Sequence, residues 1–140
     1  SNIDFAPTLL DMAGVNIPEN VQGKSFFQNL KENTSKDWRQ SMYYHYYEYP
    51  VPHRVRPHYG VITDRFKLVH FYKPDVDYWE LYDREKDPNE MKSFYADPSY
   101  ADVVKELKVE LAKLRSDLKD NVGSPKEAYG NSENQKKKKQ

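Results

Sequence analysis

The sequence predicts an α+β fold: a small antiparallel sheet of about four strands, with a long C-terminal helix packed across one of its faces. Aromatic segments with strand character recur between residues 41 and 82, and an apolar stripe at helical spacing follows residue 97. The 12 tyrosines, six phenylalanines and two tryptophans indicate a buried core, although the mean hydropathy is −1.03.

Four segments have the composition of strands. They are residues 41–48, 58–64, 66–72 and 78–82. Between the first two, prolines at positions 50, 52 and 57 prevent regular pairing, so residues 49–57 are predicted to form a stiff loop. The dipeptide Asp64-Arg65 is expected to form the tight turn between the second and third strands.

The C-terminal helix is expected to begin after Asp97, which can cap it, with Pro98 as its first residue. Its apolar stripe comprises Val104, Leu107, Leu111, Leu114 and Leu118. Such a stripe needs a partner surface, and the aromatic sheet is the nearest one in sequence.

The first part of the chain predicts a separate short helix. Asp4 can cap it, Pro7 lies in its first turn, and Gly14 is a natural left-handed end. Its apolar residues Phe5 and Leu9 have almost nothing beside them in sequence to cover them. We therefore divide the chain into residues 1–36, residues 37–122 with the sheet and long helix, and a polar, disordered, lysine-rich tail at residues 123–140.

Composition excludes several classes of function. Lys plus Arg and Asp plus Glu both total 22, so no net field attracts a polyanion. The chain has no cysteine, which removes disulfides, thiolate zinc sites and a cysteine nucleophile. No apolar run is long enough for a membrane helix. We predict no nucleic-acid and no membrane partner, and the weaker alternative is a nucleic-acid-binding arm formed by the terminal lysines.

Four segments, in this order, resemble the C-terminal part of the type I sulfatases, the formylglycine-dependent family within the alkaline-phosphatase-like superfamily. They are DFAPTLLDMAG followed by GKSF, then HYGVITDRFKL, then WELYD with DPNE, and the closing helix. The aromatic first strand and the 49–58 loop are similar to those of bacterial sulfatases that act on sulfated polysaccharides, such as glycosaminoglycans. Within this pattern KSF, at residues 92–94, is a departure that we expect to be a surface change.

The resemblance implies that residues 1–36 are the last helix and connecting strap of a catalytic α/β domain, which would be the partner of this chain. The family makes its formylglycine from a Cys/Ser-x-Pro-x-Arg motif, which this sequence lacks. That nucleophile and the calcium ligands are expected in the missing part, so no catalytic and no metal-binding residue is assigned here. The whole protein that carries this chain, here called the parent, would hydrolyse sulfate esters in the periplasm or outside the cell. This chain alone would be inactive.

The stiff loop supplies the candidate substrate-binding residues, Tyr49, His53, Arg54 and His58. Sugar hydroxyls and sulfate oxygens bind donors held in a fixed array, and a rigid loop reduces the cost of ordering them. In the family this loop reaches the catalytic pocket. Arg54 and Arg56 could both bind sulfate groups, and the alternative for both is solvated surface charge. Each of the strand residues His45 and His70 is expected to pack with one hydrogen bond.

Two further interpretations concern the function and the turn at residues 83–90, within the WELYD and DPNE motifs, which we call the signature turn. Asp83, Asp87 and Glu90 lie at a strand end and turn, so they are predicted to cap the turn and not to act as catalytic acids. The alternative function is a stand-alone carbohydrate-binding module. Such a module would expose a row of coplanar rings and bind an oligosaccharide without a partner domain.

Overall fold

The computed structural model describes residues 1–31, 38–50, 54–73 and 75–122. Contacts group the chain into two compact units, residues 1–40 and residues 41–140. The described residues contain a four-stranded antiparallel sheet and a long C-terminal helix, together with an N-terminal helix. The predicted α+β class is confirmed. Residues 123–140, predicted to be a disordered tail, lie outside the described residues.

The first unit contains helix α1 (Phe5–Met12) and the short helix α2 (Phe27–Lys31). Helix α1 follows a 3₁₀ turn at Asn2–Asp4, and Gly14 ends the segment with a φ of 68°, as the sequence predicted.

The predicted capping role of Asp4 is wrong, because its side chain makes no hydrogen bond to the start of the helix. The carboxylate is buried instead, and it accepts bonds from the Lys24 amide at 2.9 Å and from Arg39 Nη2 at 2.5 Å. Burial alone would raise the pKa of Asp4, but these bonds outweigh it and hold that pKa below its usual value. A buried carboxylate needs strong donors, and here Arg39 is one of them.

The GKSF segment is fastened along the first helix. Ser25 Oγ donates to the Asp11 carboxylate at 2.5 Å, and the Phe26 amide donates to Thr8 Oγ1 at 3.1 Å. At Gly23 an added Cβ would lie 1.9 Å from a backbone carbonyl oxygen of the 3₁₀ turn, so only glycine permits this approach. These contacts explain why the segment has this composition.

Helix α1 buries the side that carries Pro7 and Thr8 and exposes its large apolar residues. Phe5 is 60% exposed and Leu9 is 64% exposed. Within the described residues of the first unit, the apolar face of this helix is thus covered only by an edge contact between the rings of Phe5 and Phe26.

The second unit is built on a sheet with the order β1-β2-β3-β4, all neighbours antiparallel. The strands are β1 (Ser41–Tyr46), β2 (His58–Thr63), β3 (Phe66–Lys73) and β4 (Val76–Asp83). Residues 64 and 65 form the predicted turn between β2 and β3. The main differences from the predicted bounds are that β1 ends two residues earlier and β4 begins two residues earlier, because Val76 pairs with Lys73 across the hairpin.

Helix α3 (Ala101–Asp117) lies across one face of this sheet, and the apolar stripe faces the strands as predicted. A 3₁₀ turn at Pro98–Tyr100 precedes it, where the Asp97 side chain accepts a hydrogen bond from the Ser99 amide at 2.9 Å. The buried core between helix and sheet comprises Tyr59, Val61, Leu68, Leu81, Tyr100, Leu107 and Leu111.

The opposite face of the sheet carries a row of four rings, one from each strand: Tyr46, His58, Phe71 and Tyr78. Successive residues pair across the strands, and successive ring centroids are 5.4, 5.0 and 4.6 Å apart. Beside the row, the absent side chain of Gly60 leaves room for the ring of Tyr44, which an added Cβ would approach to 2.8 Å. Alternation along β1 therefore sends its tyrosines to both faces, as predicted.

Candidate functional site

The loop between β1 and β2 contains the candidate site residues. The structure describes it at residues 47–50 and 54–57, so Tyr49 and Arg54 are placed near its two ends. His53 lies outside the described residues. His58 is the first residue of β2, immediately after the loop.

Arg56 is held by two partners. Its Nη1 donates to Asp75 Oδ2 at 2.5 Å, and its guanidinium carbon lies 4.6 Å from the centroid of the Tyr49 ring. One face of Tyr49 is therefore occupied by a cation, while 36% of the residue remains exposed. Stacking of a sugar on Tyr49 stays a prediction and is restricted to the other face of the ring.

Arg54 differs from Arg56. Arg54 is exposed, and within the described part of the chain no hydrogen bond, ion pair or ring contact engages its guanidinium. Of these two arginines, Arg54 is thus the one whose donors are available for an anion.

His58 forms a hydrogen bond to the backbone of the loop. Its Nδ1 lies 2.8 Å from the carbonyl oxygen of Arg56. Because a carbonyl oxygen only accepts, Nδ1 carries a proton and donates it to this bond. The imidazole also lies in the ring row between Tyr46 and Phe71. These contacts fix the loop backbone, and a substrate contact by His58 stays a prediction.

The helix-covered face carries an Asp–His–Tyr chain that the sequence did not predict. His45 Nδ1 donates to Asp120 Oδ2 at 2.7 Å, and its Nε2 accepts from the hydroxyl of Tyr72 at 2.8 Å. Tyr43 donates to the same carboxylate of Asp120 at 2.5 Å. The expectation of one hydrogen bond for His45 is corrected, because both ring nitrogens are bonded.

A second chain of the same kind lies two strands away. His70 Nε2 donates to Asp77 Oδ1 at 2.7 Å, and its Nδ1 accepts from the hydroxyl of Tyr59 at 2.7 Å. His70 thus also exceeds the single bond expected for it. The rings of Tyr59 and Tyr72 stack at 5.4 Å, which brings the two chains together.

These chains resemble the acid–base–hydroxyl order of a hydrolytic triad, but the hydroxyls are poor nucleophiles. Burial, helped by the nearby Tyr47 and Asp120, raises the pKa of Tyr72 to about 12. Burial likewise lowers the pKa of both histidines, even though Asp120 and Asp77 act in the opposite direction. An activated nucleophile needs a lowered pKa, so we assign the two chains to fastening the helix and the strands.

The signature turn is built around Asp83, which is 0% exposed. Its carboxylate accepts from Arg65 Nε at 3.0 Å and Nη2 at 2.7 Å, and from the hydroxyl of Tyr100 at 2.9 Å. The Arg65 bond is the main cause that holds the pKa of Asp83 far below its usual value. Asp87 accepts from the Lys92 amide at 2.8 Å. These bonds agree with the structural role predicted for the turn.

Residues 92–94 are a surface change only in part: Lys92 and Ser93 are exposed, but Phe94 is half-buried. The Leu81 amide donates to Ser93 Oγ at 3.2 Å, and the Phe94 amide donates to the Leu81 carbonyl oxygen at 2.7 Å. Phe94 also packs against the core. The segment therefore continues the hydrogen bonding of edge strand β4.

The described residues do not fit a metal ion. Among them, no group of three or more His, Asp or Glu side chains is arranged to hold one. Nor does any helix there have the length and apolar character to span a bilayer. Calcium and formylglycine remain predictions for the whole protein.

The sheet, its crossing helix and the signature turn define the chain as a C-terminal subdomain of the sulfatase class. The family model described as "N-sulphoglucosamine sulphohydrolase, C-terminal" matches residues 1–117, and the chain belongs to this family. The resemblance inferred from the sequence motifs is confirmed.

Two of the relatives are sulfatases from one Bacteroides species. An N-acetylglucosamine-6-O-sulfatase of Bacteroides thetaiotaomicron is 48% identical over 90% of this chain, and a Delta 4,5-hexuronate-2-O-sulfatase of that species is 32% identical over 91%. A structure solved in complex with its substrate, D-glucosamine-2-N,6-O-disulfate, is 47% identical and superposes with a TM-score of 0.84. That match covers 89% of this chain and 26% of the solved chain. The chain spans 23% and 24% of the length of the two curated relatives.

Proposed function

We propose that this chain is the C-terminal part of a sulfatase that hydrolyses sulfate esters of amino sugars and forms one wall of its substrate pocket. The observation that carries the proposal is the 47% identity and TM-score of 0.84 to the structure solved with a disulfated glucosamine.

The wall would be formed by Tyr49, His53, Arg54 and His58. A guanidinium forms charge-assisted hydrogen bonds with sulfate oxygens, and Arg54 is exposed, with donors that no residue of the described ranges engages. Tyr49 would contact the apolar side of a sugar ring through its open face. The residues of this chain thus bind and orient the sugar, while bond cleavage belongs to another part of the protein.

The partner would be an N-terminal catalytic domain of the same protein. We propose that residues 1–36 belong to that domain as its last helix and strap, that residues 37–122 form the subdomain, and that residues 123–140 are a solvated tail. The exposed Phe5 and Leu9 support this, since the free energy falls when a partner covers large apolar side chains. Formylglycine and calcium would lie in that domain, and the whole protein would work in the periplasm or outside the cell.

The test compares this chain with the longer protein that carries it. We expect the longer protein to release sulfate from N-acetylglucosamine 6-sulfate and this chain alone to release none. In the longer protein, Arg54→Gln should raise KM about tenfold, the scale of one charge-assisted hydrogen bond. Lys113→Gln, an exposed cation on α3, is the matched control and should change nothing.

Two outcomes would contradict the proposal. Turnover by this chain alone would show that the reactive groups lie within it. Micromolar binding of sulfated glycans by this chain, measured by calorimetry, would favour the stand-alone carbohydrate-binding module instead.

A further inference from the structure

Arg56 joins three separate parts of the second unit. Its side chain bonds Asp75, at the connection between β3 and β4, and lies over Tyr49 at the start of the loop. Its backbone carbonyl oxygen accepts from His58 at the start of β2. Both the side chain and the backbone of Arg56 are therefore fixed, whereas no contact among the described residues fixes the guanidinium of Arg54.

We propose that Asp75 is a positioning residue for the substrate-binding loop: it holds Arg56 against Tyr49, so that Arg54 is the arginine that binds the sulfated sugar. This inference rests on the proposed function of the loop. Asp75 itself does not touch the substrate.

The ion pair is poorly suited to stabilising the fold. The side chains of Arg56 and Asp75 are 36% and 58% exposed, and exposed pairs contribute little to stability. What the pair does is restrict the loop, because it joins the beginning and the end of the loop to a neighbouring hairpin. A loop that is already ordered loses less conformational entropy when a ligand binds.

The same contact has a rival interpretation with the opposite consequence. If Arg56 were the arginine that binds sulfate, Asp75 would compete with the sulfate for that guanidinium. Removing the charge of Asp75 would then strengthen substrate binding. If Asp75 positions the loop, removing its charge weakens binding, so the sign of the change in KM separates the two.

The experiment uses the longer protein with N-acetylglucosamine 6-sulfate. We expect Asp75→Asn to raise KM about threefold to tenfold with kcat within about twofold, as for a loss of pre-ordering that leaves the reacting groups in place. Asp75→Glu should restore part of the loss. Arg56→Gln should raise KM at least as much as Asp75→Asn, because it removes both the ion pair with Asp75 and the cation over Tyr49. The double variant should be no worse than Arg56→Gln alone, because the ion pair is already lost in that variant. Asp102→Asn, an exposed carboxylate on α3, is the matched control and should not change KM.

Each other result overturns the inference. A lower KM for Asp75→Asn assigns the sulfate to Arg56. An unchanged KM for Asp75→Asn, in a protein where Arg54→Gln raises KM, removes the positioning role alone and keeps the proposed function. Unchanged KM values for both Arg54→Gln and Tyr49→Ala place the loop outside the pocket, and the proposed role of the loop falls with the inference.

Discussion

Helices α1 and α3 differ in whether they bury their large apolar side chains. Helix α3 buries Leu107 and Leu111 against the sheet, as amphipathic helices in a folded domain do. Helix α1 buries Pro7 and Thr8 on its inner side and leaves its large apolar residues exposed.

The two helices differ in what covers their apolar side chains. The partner of α3 is the sheet of its own unit. The buried side of α1 is occupied by the polar contacts of the GKSF segment and Asp4, so its apolar side is open to a surface outside its own unit. We propose that this surface is the catalytic domain, and the predictions below test the contrast from the largest effect to the smallest.

The largest effect is expected in the core beneath α3. Leu111 is 2% exposed, so Leu111→Ala should lower the free energy of unfolding by about 2–5 kcal/mol through lost burial and a cavity. Leu9→Ala on α1 should change it by less than about 0.5 kcal/mol. Urea denaturation followed by circular dichroism measures both. Equal losses in the two variants would show that α1 is covered within this chain.

A smaller loss is expected from the buried carboxylate beside the start of α3. Asp83→Asn weakens the bonds from Arg65 and Tyr100, and we expect a loss of about 2–3 kcal/mol, the scale of hydrogen bonds to a charged group. Asp102→Asn, in the exposed first turn of α3, is the control and should stay within about 0.5 kcal/mol in the same denaturation. A silent Asp83→Asn would mean that the signature turn does not hold the helix.

Acid should lower the stability of the second unit, because its two buried histidines must take up protons. Burial lowers the pKa of His45 and of His70 in the folded state, so the folded state binds fewer protons than the unfolded chain. The stability from the neutral imidazoles is present above about pH 6.5 and is lost as the pH falls through the lower folded-state pKa values.

Urea midpoints at pH 7.5 and pH 5 measure this loss, with the lower midpoint expected at pH 5. Replacement of both histidines by glutamine should flatten the dependence between these pH values. An equally steep dependence in that variant would assign the protons to other groups.

The smallest effect on stability is expected on the exposed side of α1. The double variant Phe5→Ser/Leu9→Ser should change the free energy of unfolding by less than about 0.5 kcal/mol, since both side chains already contact water. It should nevertheless reduce self-association, which sedimentation velocity measures, because exposed apolar patches bind one another. Unchanged self-association would show that this face of α1 does not mediate it.

Local rules predicted most of the fold. The stripe of α3, the Asp97 cap, the Gly14 end and the Asp64-Arg65 turn depend on neighbours in sequence, and the structure has all of them. Alternation along the strands likewise predicted that tyrosines would divide between two faces.

The features that sequence reasoning missed depend on residues far apart in the chain. Asp4 binds Arg39, and His45 binds Asp120, 75 residues later. The same limit applies to the candidate site, where the loop residues were predicted but the distinction between Arg54 and Arg56 depends on Asp75. No local pattern states which distant carboxylate an arginine or histidine will meet.

Trp79 lies parallel to His70, with ring centroids 4.1 Å apart and planes 5° apart. A proton on His70 would place a full positive charge against the face of the indole, where the π-electrons interact with cations. The emission of Trp79 should therefore change with the ionisation of this imidazole. With Trp38 replaced by phenylalanine, the chain carries its own optical indicator of protonation on the inner surface of the sheet.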